Sequence, residues 1–219
     1  MATIEIKNLA IGLPETMKYG EGKEMLTAIR KKQVEEVFLS KESFQGDQVA
    51  DLKHHGGPDR AVCIYPYEHY ARWENAFGKP LPNATFGENV TATNMLEEDV
   101  YIGNIYQLGE ALIQVTQGRV PCHTIDRYVD MTPLMKAMIK TGFTGFMCRV
   151  LEEGSVRADA EIKLVEANPQ KISVWYTNDV YFHRPKDVEG IKQILAVPEL
   201  ADEWRNKFET RLKKLKGIN

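Results

Sequence analysis

Up to Glu166 the chain is dominated by short runs of β-branched and aromatic residues, each cut off by Gly, Pro or an Asn/Asp cluster. Such punctuation leaves room for strands of five to nine residues and predicts a mainly β unit. The runs are Val34 to Ser40, Ala61 to Tyr65, Val100 to Leu108 and Ala111 to Gln117, followed by Phe143 to Leu151 and Ala160 to Glu166. Leu108-Gly109-Glu110 reads as a tight hairpin connection, and Glu152-Glu153-Gly154-Ser155 as a second hairpin joining the last two runs.

Two short helices interrupt the strands. Tyr70, Trp73 and Phe77 fall three and four apart, with Gly78 as a stop signal. Thr132-Pro133 predicts an N-cap followed by Pro at the first helical position. Leu134, Met135, Met138 and Ile139 form the apolar face, and Gly142 ends it. From about residue 168 the texture turns helical: Asn168-Pro169 opens one helix, Asp187 caps a second and Pro198 stops it. Trp204, Phe208, Leu212 and Leu215 stripe a third. Ile172 to Tyr176 also suits a strand. The expected organisation is a β domain over 1–166 and three helices over 167–219.

At 219 residues the chain can bury a substantial core. It holds 28 Lys and Arg against 31 Asp and Glu, a net charge of -3, which argues against a broad electrostatic grip on nucleic acid. No run approaches the ~20 apolar residues of a membrane-spanning helix. The opening residues lack a basic segment leading into an apolar run, so the expected address is the cytoplasm. Three cysteines, at 63, 122 and 148, form neither a CxxC pair nor an even framework, and reduced thiols are expected.

Of these, Cys122 stands apart. Gly118 and Pro121 place it in a loop after an apolar strand, between Arg119 and His123, where positive or hydrogen-bonding neighbours favour the thiolate that binds soft metals. Cys63 and Cys148 lie in apolar runs, where a thiol acts as a small hydrophobe. Lys53-His54-His55-Gly56-Gly57-Pro58-Asp59-Arg60 is either a solvated turn or an anion cradle, its glycines letting backbone N–H groups converge. Gly46-Asp47 and Phe86-Gly87-Glu88-Asn89 set polar side chains beside glycines; either could bond a heterocycle or simply form Asx turns. A zinc site of Cys122, His54 and His55 is a further alternative.

Taken in order, Gly46-Asp47-Gln48-Val49-Ala50-Asp51, His54 to Val62, Tyr65 with Trp73, Phe86 to Asn89, Ile102-Gly103-Asn104 and Arg119-Val120-Pro121-Cys122 resemble the MOSC family. That family is named for the C-terminal domain of molybdenum-cofactor sulfurase. Trp175, Pro198-Glu199-Leu200 and Trp204-Arg205 resemble the three-helix domain of its branch conferring resistance to 6-N-hydroxylaminopurine. The resemblance implies a MOSC-type β-barrel with peripheral helices plus the small three-helix domain. It also implies a molybdenum cofactor (molybdopterin) whose metal is bound by Cys122, and reduction of N-hydroxylated bases to amines with electrons from a separate reductase. A non-catalytic carrier of molybdopterin or sulfur is the alternative, and a homodimer would suit the helical tail. In the catalytic reading His123, His54 and His55 are candidate proton donors. Lys41, His55, Gly56, Gly57 and Arg119 would hold the cofactor's phosphate, and Asn89 would read the pterin edge. Where the family commonly has Gln-Pro-Arg before the cysteine, this chain has Gln117-Gly118-Arg119, which predicts a freer loop.

Overall fold

Residues 3–50 and 56–217 are described by a computed structural model of the chain. The strands are β1 (Ile4–Ile11), β2 (Glu15–Tyr19), β3 (Lys23–Thr27), β4 (Lys32–Gln33), β5 (Glu36–Leu39) and β6 (Val62–Pro66). They continue as β7 (Val90–Ala92), β8 (Ile105–Leu108), β9 (Ala111–Gly118), β10 (Phe146–Glu152), β11 (Gly154–Arg157) and β12 (Glu161–Glu166). Seven of them close into a barrel in the order β12-β8-β9-β10-β6-β7-β1, with β1 pairing back onto β12 through Ile4 opposite Ile162. Among the described residues only β6 and β7 run parallel. Closure removes the open edges that a sheet of this size would expose. Strand β4 adds to β1 outside the ring, β5 pairs with β11, and β2 with β3 forms a separate hairpin.

Inside the ring lie Leu9, Val62, Ile64, Val90, Ile113, Val115 and Phe146, all fully buried. Along β9 the alternation of buried and half-buried residues gives way to a run of four buried residues at its end. Both faces are covered there, one by the barrel interior and the other by the C-terminal helices. Those helices are α4 (Val174–Phe182), α5 (Val188–Leu195) and α6 (Asp202–Leu215). Val174, Val180, Ile191, Ile194, Trp204 and Phe208 join the same hydrophobic cluster as the barrel interior. The Trp204 stripe therefore faces the barrel, and it fades toward Leu215, which is exposed.

A second cluster sits at the other flank. Helices α1 (Glu68–Phe77), α2 (Thr124–Val129) and α3 (Leu134–Thr141) pack Trp73, Ile125, Leu134 and Met138 against Met17, Ile29, Tyr65 and Phe86. As the sequence predicts, Gly78 and Gly142 close α1 and α3 in the left-handed conformation. No helix among the described residues is long and apolar enough to cross a membrane.

Several expectations change. The hairpin around Glu152 to Ser155 does not join its two neighbouring runs: β11 leaves to pair with β5, and β12 pairs with β8 and β1. Gly154 permits that departure, because a Cβ there would meet the Glu110 carbonyl carbon at 2.7 Å. The run from Val100 is a strand only from Ile105, since Gly103 turns the chain at φ +89°. Of Val34 to Ser40, the strand is β5 alone, Glu36–Leu39, which pairs with β11; β4 ends one residue before the run begins. Helix α4 starts at Val174, with Ser173 Oγ accepting from Tyr176 N at 3.0 Å, and not at Asn168. Asn168 instead anchors to Asn104 and Glu199. Pro133 sits at the cap of α3 in place of Thr132, and Asp126 Oδ1 takes the first free N–H, that of Met135, at 2.6 Å.

Candidate active site

Strand β9 delivers the chain to the mouth of a cavity of about 1080 Å³. Arg119 N donates to the Gly145 carbonyl at 3.0 Å, extending the β9–β10 pairing by one step and setting the direction of the next three residues. Pro121 is buried and cannot donate, so the loop turns there and Cys122 emerges half-buried, one residue before the cap of α2. Cys122, Arg119 and Cys63 all line the cavity.

The opposite wall is made by the turn through Phe86 and Gly87. The fully buried Glu88 carboxylate shapes it, accepting from Phe86 N at 3.0 Å, Thr91 Oγ1 at 2.9 Å and the Tyr70 hydroxyl. Burial, reinforced by the Glu88 charge, pushes the Tyr70 phenol well above its usual range, so it stays a donor. Gly87, at φ +74°, lets the turn pass close to Ile29 and frees the Phe86 carbonyl to accept from Arg119 Nη2. The other guanidinium nitrogen, Nη1, is buried and has no hydrogen-bond partner.

A buried polar knot closes the floor. Asp47 accepts from Gly12 N at 2.7 Å and Asn89 Nδ2 at 2.9 Å, and pairs with Lys31, whose side chain is 6% exposed. Asn89 Oδ1 in turn accepts from Cys63 N at 3.1 Å. Burial raises the Cys63 thiol above its ordinary range, while the Arg119 and Lys31 charges pull the other way. The last wall is the turn at Gly56, Gly57 and Pro58, followed by Arg60. The cavity thus combines one accessible thiol, the cations Lys31, Arg60 and Arg119, and an apolar side with Met25, Leu26 and Phe38.

These features have counterparts elsewhere. A family model for the MOSC domain matches residues 51–163 of this chain. The chain belongs to the MOSC family. Residues 172–215 match a second model, the YiiM-like, 3-alpha helix domain, which covers the three C-terminal helices. Protein YflK of Bacillus subtilis (strain 168) is 41% identical over 204 residues, 93% of this chain and 92% of that protein. The crystal structure of YiiM from Geobacillus stearothermophilus superposes with a TM-score of 0.82 at 35% identity, covering 95% of this chain and 99% of the other. A protein of Gibberella moniliformis (strain M3125 / FGSC 7600) named Reductase is 37% identical over 159 residues, 70% of this chain and 28% of its own length.

Of the residues singled out in the sequence, this MOSC barrel brings Cys122, Arg119, Asn89, Gly56 and Gly57 to one cavity. It does not bring Lys41 there. That side chain reaches the carbonyls of Val150 and Leu151, and its backbone N donates to Glu153 Oε1 at 2.7 Å. His123 caps α2 with its side chain exposed to solvent and is not part of the cavity wall. His54 and His55 lie outside the described residues. Asn89 contributes to the wall, but its amide is committed to Cys63, Ala10 and Asp47, which makes it a brace for the floor. Lys31 went unnoticed in the sequence, being one of two adjacent lysines with no motif around it. Only the buried carboxylate of Asp47, folded in from 16 residues away, distinguishes it.

Proposed function

We propose that the chain is a molybdenum-cofactor-dependent reductase that converts N-hydroxylated bases and related compounds to amines, detoxifying analogues such as 6-N-hydroxylaminopurine. The observation that carries this reading is the buried, unpartnered Arg119 Nη1 in the same cavity wall as the half-buried Cys122 thiol. A buried guanidinium N–H without an acceptor calls for an anion, and a phosphate satisfies it with a charge-assisted bond. A thiolate is a suitable soft ligand for molybdenum beside the pterin's sulfurs. The cavity, at about 1080 Å³, has room for the pterin and a substrate together. The residues present fit the group.

Cys122 would hold the metal, Arg119 and Lys31 would face the phosphate, and the Gly56-Gly57 backbone would approach it without side chains in the way. When bound, the cofactor supplies a two-electron redox centre. The reaction consumes two electrons and two protons: R–NHOH becomes R–NH2 and the oxygen leaves as water. Leu26 and Phe38 give the substrate ring an apolar surface beside the polar wall. The protons would come from solvent through the cavity mouth, since His123, exposed one residue after Cys122, lies outside the wall. Electrons would return from a separate reductase.

The test is metal content and pterin fluorescence on gently purified protein, with turnover of 6-N-hydroxylaminopurine by a supplied electron donor. Cys122→Ser is expected to lose molybdenum and to lower turnover by at least about a hundredfold, the upper end of what losing even an outer-shell partner of a metal ligand costs. Full activity in that variant refutes the ligand role. Cofactor binding and transfer with no turnover would favour the carrier alternative.

A further inference from the structure

The C-terminal helices touch the cavity wall through the turn Pro58–Arg60. This turn follows Gly57, whose φ of +112° lies in a region open essentially only to glycine, and glycine's backbone freedom leaves the turn's geometry dependent on what grips it from outside. Arg60 supplies one grip. Its guanidinium reaches back to the Gly56 carbonyl through Nη2 and across to Glu203 on the first turn of α6 through Nη1. Glu203 is itself oriented, because its second carboxylate oxygen lies 2.5 Å from Lys207 Nζ one helical turn along.

Asp59 supplies the other grip. One of its carboxylate oxygens accepts from Arg149, with Nη2 at 2.7 Å. The other accepts from Asp202 N at 2.9 Å, one of the free N–H groups at the start of α6. Its carbonyl takes the Thr116 hydroxyl at 2.7 Å, while the Thr116 carbonyl takes Ala201 N at 3.0 Å. The turn and the helix start therefore satisfy each other's polar groups, and both are tied to β9 at Thr116, upstream of Cys122 on the same strand and loop.

We infer that Glu203 is a positioning residue for the cavity: by fixing Arg60 it holds the Gly56 to Arg60 turn in the shape that lines the ligand space, so that the helical segment sets the cavity's affinity for a phosphate-bearing ligand. The ligand half of this statement rests on the cofactor reading given above. Asp59 is the structural half of the clamp, since it bonds backbone and Arg149. Glu203 is the adjustable half, since among the described residues it bonds the side chains of Arg60, a cation that the cavity shares, and Lys207.

Hydrogen exchange followed by mass spectrometry on the full-length, ligand-free chain tests the positioning role. In Glu203→Ala the peptide covering residues 57–63 is expected to exchange about fivefold to tenfold faster, as for loss of a half-buried charge-assisted contact. Peptides from β9 and α5 should be unchanged, and Glu203→Gln should recover part of the protection. Lys192→Ala, on the exposed pair with Glu189 in α5, is the control. Calorimetry with inorganic pyrophosphate as the probe tests the ligand half, with affinity expected to fall about fivefold in Glu203→Ala and less in Glu203→Gln. Should Glu203→Ala fail to fold, the same two readings on Glu203→Gln decide. Wild-type exchange over 57–63 overturns the positioning role, and faster exchange with unchanged pyrophosphate affinity overturns its link to the ligand. If the wild-type chain binds neither pyrophosphate nor molybdopterin, the cofactor reading fails, while the exchange difference still stands for the turn.

Discussion

The three thiols of this chain occupy three environments, and their reactivities should separate accordingly. Cys148 is sealed in the barrel, where burial, with Cys63 nearby, holds its thiol well above the ordinary range. Cys63 is 6% exposed at the cavity floor, and burial raises it too, against the opposing pull of Arg119. A raised thiol carries less thiolate at any pH below its titration, and thiolate is the species that alkylates. Cys122 is half-buried in a loop at the cavity mouth, within reach of a small reagent. Iodoacetamide at pH 8 is therefore expected to add one equivalent to the native chain, at Cys122, and three after unfolding, read by peptide mass spectrometry. Prompt native labelling of Cys63 would mean that the floor is open to solvent. Much of this residue-level picture was legible in the sequence, because Gly118, Pro121 and the apolar alternation around Cys63 and Cys148 report loop and strand directly. The Lys31–Asp47 pair was not, because its meaning depends on a tertiary contact.

At the scale of elements, legibility follows how strongly each segment is patterned. Strands β6, β9, β10 and β12 carry apolar runs and appear where the periodicity puts them, as do α1, α3, α5 and α6. The β2–β3 hairpin is rich in Lys and Glu, and β4 is two exposed polar residues, so neither has an apolar signal. Pairing was hidden for another reason: β12 finds β1, Ile162 opposite Ile4, to close the ring across the length of the barrel segment, which no local turn announces. The family's proline position shows the same dependence on a distant element. Gly118 ends β9, and a Cβ there would stand 1.8 Å from Asn178 Oδ1 and 3.1 Å from Trp204 Cη2, so the loop's missing rigidity is replaced by contact with α4 and α6. Asn178 cannot step aside freely, because its Nδ2 donates to Gly142 O at 2.8 Å and Thr144 Oγ1 at 3.0 Å. Gly118→Ala is expected to cost about 1–3 kcal/mol, the usual penalty for overpacking a buried site, seen as a lower urea midpoint. An unchanged midpoint would show that Asn178 yields more easily than its two bonds suggest.

For the whole molecule, the question is whether barrel and helical tail are two cooperative units or one. Two family models divide the chain between residues 163 and 172, and taken alone that division suggests separate melting. The packing argues otherwise. Trp204, fully buried and stacked on Tyr181 at 4.5 Å between centroids, belongs to the same cluster as Val115 and Phe146 of the barrel. Detaching the tail would expose those side chains, each worth roughly 1.5–3 kcal/mol when fully buried, and would break the contacts that Asp59, Arg149 and Thr116 make with Asp202, Glu199 and Ala201 at the entry to α6. Opening the tail alone would then cost an appreciable share of the ~5–15 kcal/mol that separates a typical native state from its unfolded ensemble. Scanning calorimetry of the full chain is expected to show one transition with matching calorimetric and van't Hoff enthalpies. Trp204→Ala, losing about 3–5 kcal/mol, should lower that single transition by roughly 6–20 °C without splitting it. A separate low-temperature transition in which only the near-ultraviolet signal of Trp204 and Tyr181 disappears would establish the tail as an independent unit, and would leave Glu203 free to leave the cavity wall under native conditions.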